Sequence, residues 1–191
     1  AEMQQEAAKD DPSLRIEPWD YLYYSERVRQ ARYQLDFAAI NPHFALEPML
    51  QAVMWAAERN YDIAFVEVTG QVPVFHPDVR VWEVRDVPSG RIRGLYYLDT
   101  YARSGKRSGA WASSYREQYR ADGPSLPIAS VNNNFLKAAP GEPVLLSLED
   151  AQTLFHEFGH NLHSLLQDVA YPGLADTPDR KSTRLNSSHS Q

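Results

Sequence analysis

The sequence has no cysteine. Disulfide scaffolds and thiolate metal sites are therefore excluded, and a transition metal in this chain must rest on His and carboxylates. No apolar run approaches the roughly 20 residues needed to span a bilayer, so no membrane span is expected. The N-terminus shows no basic region followed by an apolar stretch, so a signal peptide either never existed or was lost. A basic surplus is also missing: 19 Lys and Arg stand against 25 Asp and Glu, a net charge of −6. That argues mildly against nucleic acid as a partner, without forbidding a local basic patch such as Arg103, Lys106 and Arg107.

What is present suits one soluble domain. The chain has 191 residues, 43% hydrophobic and 23% charged, enough for a sizeable core. Residues 1–13 are polar and Ala-rich without a clear apolar face, and read as a ragged start. A helix is predicted from Pro18 to Asp36, with Tyr21, Tyr24, Val28, Ala31 and Leu35 at helical spacing. A second is predicted over Leu46–Arg59, facing inward with Leu46, Met49, Leu50, Val53 and Ala57. The middle of the chain turns to Val, Ile and aromatics, as strands do. Strands are predicted over 61–69, 79–86 and 92–99, with Pro88-Ser89-Gly90 as the turn between the last two, and short ones over 108–115 and 128–132. Helical periodicity then returns from a cap at Ser147-Leu148-Glu149-Asp150 to about Gln167. The expected fold class is α+β: two helices, a small and mostly antiparallel sheet, then one long helix.

That last helix carries the chemistry. It reads His156-Glu157-Phe158-Gly159-His160. Residues four apart share a helix face, so both imidazoles can meet one ion at about 2.0–2.1 Å. Glu157 stands about 100° round the helix from His156. It is placed to act as a general base on an attacking water without becoming a ligand itself. His-Glu-x-x-His is the shortest pattern that supplies two zinc ligands and a base from one rigid element. Two surface histidines beside an ordinary Glu are the bland alternative, but a capped helix with apolar flanks at Leu154, Phe155, Phe158 and Leu162 favours zinc chemistry. His163 lies on the same face and fits either a supporting role or packing.

A catalytic zinc takes three protein ligands and keeps one position open. No Glu follows Glu157 in the chain, Asp168 would lie too far along the helix axis, and Asp176 cannot be excluded by reach. Residues 179–191, DRKSTRLNSSHSQ, hold a single apolar residue, Leu185. Codon by codon, Asp179 to His189 follow one reading frame of a common sequencing adapter. This segment is expected to be a non-native tail, and His189 is not taken as a ligand.

The stretch TLFHEFGHNLHSLL, preceded by SVNNNFLKAAPGEPVLLSLEDAQ and GLYYLDTYARSGKRSGAW, resembles the thimet oligopeptidase family of zinc metallopeptidases, and most of all its bacterial peptidyl-dipeptidase and oligopeptidase branch. HPDVRVWEV and IEPWDYLYYSERVRQARYQLD fit the same family upstream, so the resemblance runs from about Ile16 to Thr177. It implies one Zn²⁺ per active site on His156 and His160, with Glu157 as catalytic base. It also implies a third ligand, a Glu in a downstream segment like GT…RDFVE, for which no match exists here. Ala175-Asp176-Thr177 stands where that segment begins. The family is largely helical, with two lobes around a channel for short peptides. Residues 14–178 are then expected to be part of a catalytic domain, inactive alone.

Related zinc peptidases bind the substrate backbone along an edge strand. By resemblance, Gly109 and Ala110, within Ser108-Gly109-Ala110-Trp111, are the substrate-binding candidates, and Asn132-Asn133-Asn134 is a second polar lining or simply a loop. The expected partners are short peptides. A non-catalytic binding module that keeps the helix as scaffold is the alternative, with a zinc hydrolase of another family a third reading. Compartment stays open between cytoplasm, which is favoured, and periplasm, and so do oligomeric state and cleavage mode.

Overall fold

A computed structural model describes residues 2–33, 40–121 and 123–175. The chain divides into two compact units, Ala1–His43 and a second beginning at Phe44.

In the first unit, α1 (Glu2–Asp10) packs against α2 (Tyr21–Tyr33). The ragged start expected over 1–13 is thus corrected to a helix. The signal was missed because polar groups do most of the fastening. Arg27 pairs with Asp10 and Arg32 with Glu2. The Gln4 amide donates to Leu14 O at 2.6 Å and accepts from Ile16 N at 3.2 Å. Ala7 and Tyr24 are the buried residues of these two helices, too few to print a periodic stripe. The predicted helix from Pro18 opens as a 3₁₀ turn, Pro18–Asp20; Leu35 and Asp36 lie outside the described residues.

In the second unit, α3 (Leu46–Tyr61) buries Leu46, Leu50, Val53 and Ala57, the face that its spacing predicts. It ends at Asp62, which turns the chain in the left-handed region at φ 50°; Asp tolerates that region better than most residues. Five strands follow: β1 (Ile63–Glu67), β2 (Val79–Asp86), β3 (Ile92–Tyr101), β4 (Trp111–Arg116) and β5 (Ile128–Phe135). Their spatial order is β1-β2-β3-β5-β4. All neighbours are antiparallel except β3 and β5, which run parallel. The α+β class with a mostly antiparallel sheet is therefore observed.

The helix α4 (Leu148–Leu166) crosses one face of this sheet, contacting β3, β4 and β5, and also touches α3. Its start is a capping box. Ser147 Oγ accepts from Asp150 N at 3.0 Å, and Asp150 Oδ2 accepts from Ser147 N at 3.2 Å. The segments leading into α3 and α4 also pair, with Leu46 N donating to Val144 O and Leu146 N to Phe44 O. Leu154, Phe158 and Leu165 are buried among Trp82, Val84, Tyr96, Leu98 and Val131. The Phe158 ring meets Tyr96 edge-on with centroids 5.4 Å apart. At Gly94 of β3 the fit leaves no room: an added Cβ would lie 2.7 Å from Pro127 O and 3.0 Å from a Leu165 methyl. A second, smaller apolar cluster of Val68, Val79 and Val81 covers the opposite sheet face.

Candidate active site

Because α4 is seated by its apolar stripe, the residues beside that stripe have fixed directions. Glu157 is drawn inward and is only 2% exposed. His156 and His160 lie farther round and are half-buried. Their Nε2 atoms approach to 3.2 Å, with the rings nearly perpendicular at 83°. Two nitrogens bound tetrahedrally to one zinc at its usual bond length are about 3.3 Å apart. The observed 3.2 Å is close to that spacing and also suits a hydrogen bond from one imidazole to the other. A group of three or more His, Cys, Asp or Glu side chains that could hold an ion is not found among the described residues.

The remaining candidates separate clearly. The Asp168 carboxylate engages Gln118 at 3.4 Å and Arg120 at 3.3 Å, beyond the end of α4, so it has a different task from His156. His163 is exposed, and its carbonyl accepts from Gln167 N at the helix end. Asp176, Leu185 and His189 lie outside the described residues. Gly109 and Ala110 precede β4, which starts at Trp111; Gly109 has φ +84°, a turn conformation that glycine accepts without strain. β4 is nevertheless an edge strand of the sheet. Asn132, Asn133 and Asn134 are not loop residues but belong to β5.

The basic patch also dissolves. Arg103 makes a two-pronged pair with Asp99 at 2.6 and 2.8 Å, and Lys106 sits 3.1 Å from the same carboxylate. Arg107 lies over the Trp111 ring at 4.5 Å. Burial pushes the Asp99 carboxyl up, but the hydrogen bonds and charges of Arg103 and Lys106 outweigh it and hold the group below the usual carboxylate value. Burial lowers the Lys106 ammonium by more than Asp99 restores.

Sequence reasoning missed one residue next to the motif. Asn161 is buried, and its Nδ2 donates to Ser130 O of β5 at 2.9 Å and approaches the Glu157 carbonyl at 3.4 Å. It links the Glu157 backbone to the sheet. The available signal was a polar residue four after Glu157 in an otherwise apolar face.

Residues 1–181 match the family described as Peptidase family M3. The dipeptidyl carboxypeptidase of Salmonella typhimurium is 40% identical over 178 residues, 93% of this chain and 26% of that protein. Its Escherichia coli counterpart is 41% identical over 88% of this chain and 24% of that protein. Oligopeptidase A of Escherichia coli is 37% identical over 84% and 24% respectively. The chain thus spans about a quarter of the length of these relatives. No helix among the described residues is long and apolar enough to cross a membrane. With nearly its whole length matched, the chain belongs to peptidase family M3.

Proposed function

We propose that this chain carries the metal-binding helix and the substrate-docking strand of a zinc-dependent peptidase that hydrolyses short peptides, as an oligopeptidase or a peptidyl-dipeptidase. The observation that carries the reading is the 3.2 Å approach of the His156 and His160 Nε2 atoms beside an inward-held Glu157. When bound there, Zn²⁺ would supply Lewis-acid polarisation of the scissile carbonyl. Glu157 would take the proton of the attacking water on a carboxylate oxygen and pass it to the departing amine. Asn161 and the core contacts of Phe158 fix the helix, so the carboxylate does not have to be ordered at the moment of reaction. The peptide would lie extended along β4, adding a strand to the sheet edge.

The described residues offer two nitrogen donors, one short of the three protein ligands usual for catalytic zinc. The 191 residues alone should therefore hold Zn²⁺ weakly and show no measurable hydrolysis. The deciding experiment uses a longer chain containing this segment at the length of its relatives. It should cleave a short fluorogenic peptide, stop on chelation and recover with Zn²⁺. Glu157→Gln should remove turnover while keeping the metal. Full activity in that variant would sink the assignment, and metal-independent binding of peptides without cleavage would favour a non-catalytic module.

A further inference from the structure

The link between β3 and β4 is held in an unusual way for a surface loop. Lys106 lies in it, yet its side chain is 3% exposed. Its ammonium donates to Asp99 O at 2.9 Å and Tyr101 O at 3.0 Å, and lies 3.1 Å from Asp99 Oδ1. An ammonium has three donors, so each has an acceptor on the end of β3. Arg103 closes on the same carboxylate from the other side. Farther along, Asn134 of β5 donates from Nδ2 to Arg107 O at 2.7 Å and Gly109 O at 2.6 Å. Nothing lies within 4 Å of a would-be Cβ at Gly105 or Gly109, which have φ +80° and +84°. Both glycines therefore serve the path of the backbone and not close packing.

Such an arrangement is a poor way to gain stability, because desolvating a lysine and a carboxylate offsets much of their attraction. What it does supply is one fixed backbone path from Tyr101 to Trp111. We infer that Asp99, Arg103, Lys106 and Asn134 form a positioning device for the free edge of β4, holding the loop so that the strand is ready to receive an extended peptide. The inference rests on the proposed docking at β4. A peptide that adds to an ordered strand does not have to order it, and so binds more tightly. The ligand class is an uncharged, extended peptide backbone, recognised through its own N–H and C=O groups.

The test uses the 191-residue chain, as Lys106→Met, which keeps the stem and removes the donors, and as Asn134→Ala, a half-exposed change that spares the buried charges. Amide hydrogen exchange reads the loop, and NMR shifts of the Trp111–Arg116 amides read binding of pentaalanine against an N-methylated pentaalanine that cannot pair with a strand. Exchange over 105–110 should rise about 10-fold in both variants, matching loss of one or two hydrogen bonds, with β2 and β3 amides unchanged. Pentaalanine affinity should fall about 3- to 10-fold, and Lys106→Arg should restore part of it. Unchanged loop exchange in both variants overturns the device. Faster exchange with unchanged affinity overturns its link to peptide binding while leaving the proposed docking intact. If pentaalanine moves no β4 amide in the unaltered chain, or the N-methylated peptide binds equally, the docking itself falls, and the inference with it.

Discussion

The sheet under α4 has two unlike halves. Where β2 meets β3, the buried face is Trp82, Val84, Tyr96 and Leu98, sealed by Phe158. Where β5 meets β4, Ser130, Asn132 and Asn133 are buried; Ser130 and Asn132 alternate with the helix-facing Ala129 and Val131 and so point to the other face, while Asn161 of the helix reaches the Ser130 carbonyl. The first half is what any apolar core achieves. The second places polar groups out of water, where each needs a partner or weakens the fold. Asn133 is wholly buried, and neither its Oδ1 nor its Nδ2 has a hydrogen-bond partner among the described residues. One half of the layer seats the helix through apolar contacts, while the other meets it through a hydrogen bond from Asn161 to the Ser130 carbonyl.

The sharpest break of that contrast is in catalysis. Glu157→Gln should cost about 10²- to 10⁴-fold in turnover in an active, longer chain, with thermal stability almost untouched, as steady-state rates and a melting curve would show. Phe158→Ala should do the reverse. Removing a ring that fills the apolar half should cost about 3–5 kcal/mol of stability by denaturant titration. An effect near zero would mean that the helix is not seated by this contact.

Gly94→Ala tests the same seat from the sheet side. Its added methyl must displace Pro127 O or Leu165, so a loss of about 1–3 kcal/mol is expected. The polar half should answer with the opposite sign. Asn133→Leu exchanges two unpartnered polar atoms for a side chain of similar size, and should raise stability by up to about 1–3 kcal/mol. A clear loss would show that this amide is satisfied in solution.

The smallest effect concerns acid. Hydrogen bonds from Ser89 and Arg93 hold the Asp86 carboxyl down at about 2, from an ordinary 3.8. A depressed carboxylate stabilises the fold fully above its unfolded value and loses that contribution as pH falls through the folded one. The β2–β3 turn should therefore loosen between about pH 4 and pH 2, seen as faster exchange of the Ser89 and Gly90 amides. Asp86→Asn should flatten that dependence.

The two halves also differ in how far the sequence exposes them. β2 is legible from Val79 to Asp86 because the segment is rich in Val and carries an aromatic, as strands do. The start of α4 was readable from Ser147 and Asp150, and the site pair from the spacing of His156 and His160. β5 was cut short at Asn132 because three consecutive Asn look like a turn, yet the strand runs on to Phe135. No local rule says that Asn132 and Asn133 will be buried inside a strand. Lys106 misled in the same way. Its charge suggested an exposed patch, and only the fold brings Asp99 to meet it.

The strand order has a consequence for how the molecule assembles. β5 lies between β3 and β4, although it is made after both. Until it arrives, β3 and β4 lack the neighbour that joins them, and both expose backbone able to pair with another chain. Insertion of β5 must form one parallel and one antiparallel ladder together, across sequence separations that slow folding. On a growing chain α4 emerges immediately afterwards, so closure of the sheet and docking of the helix fall into one late step. Before that step the unpaired edges are most open to aggregation.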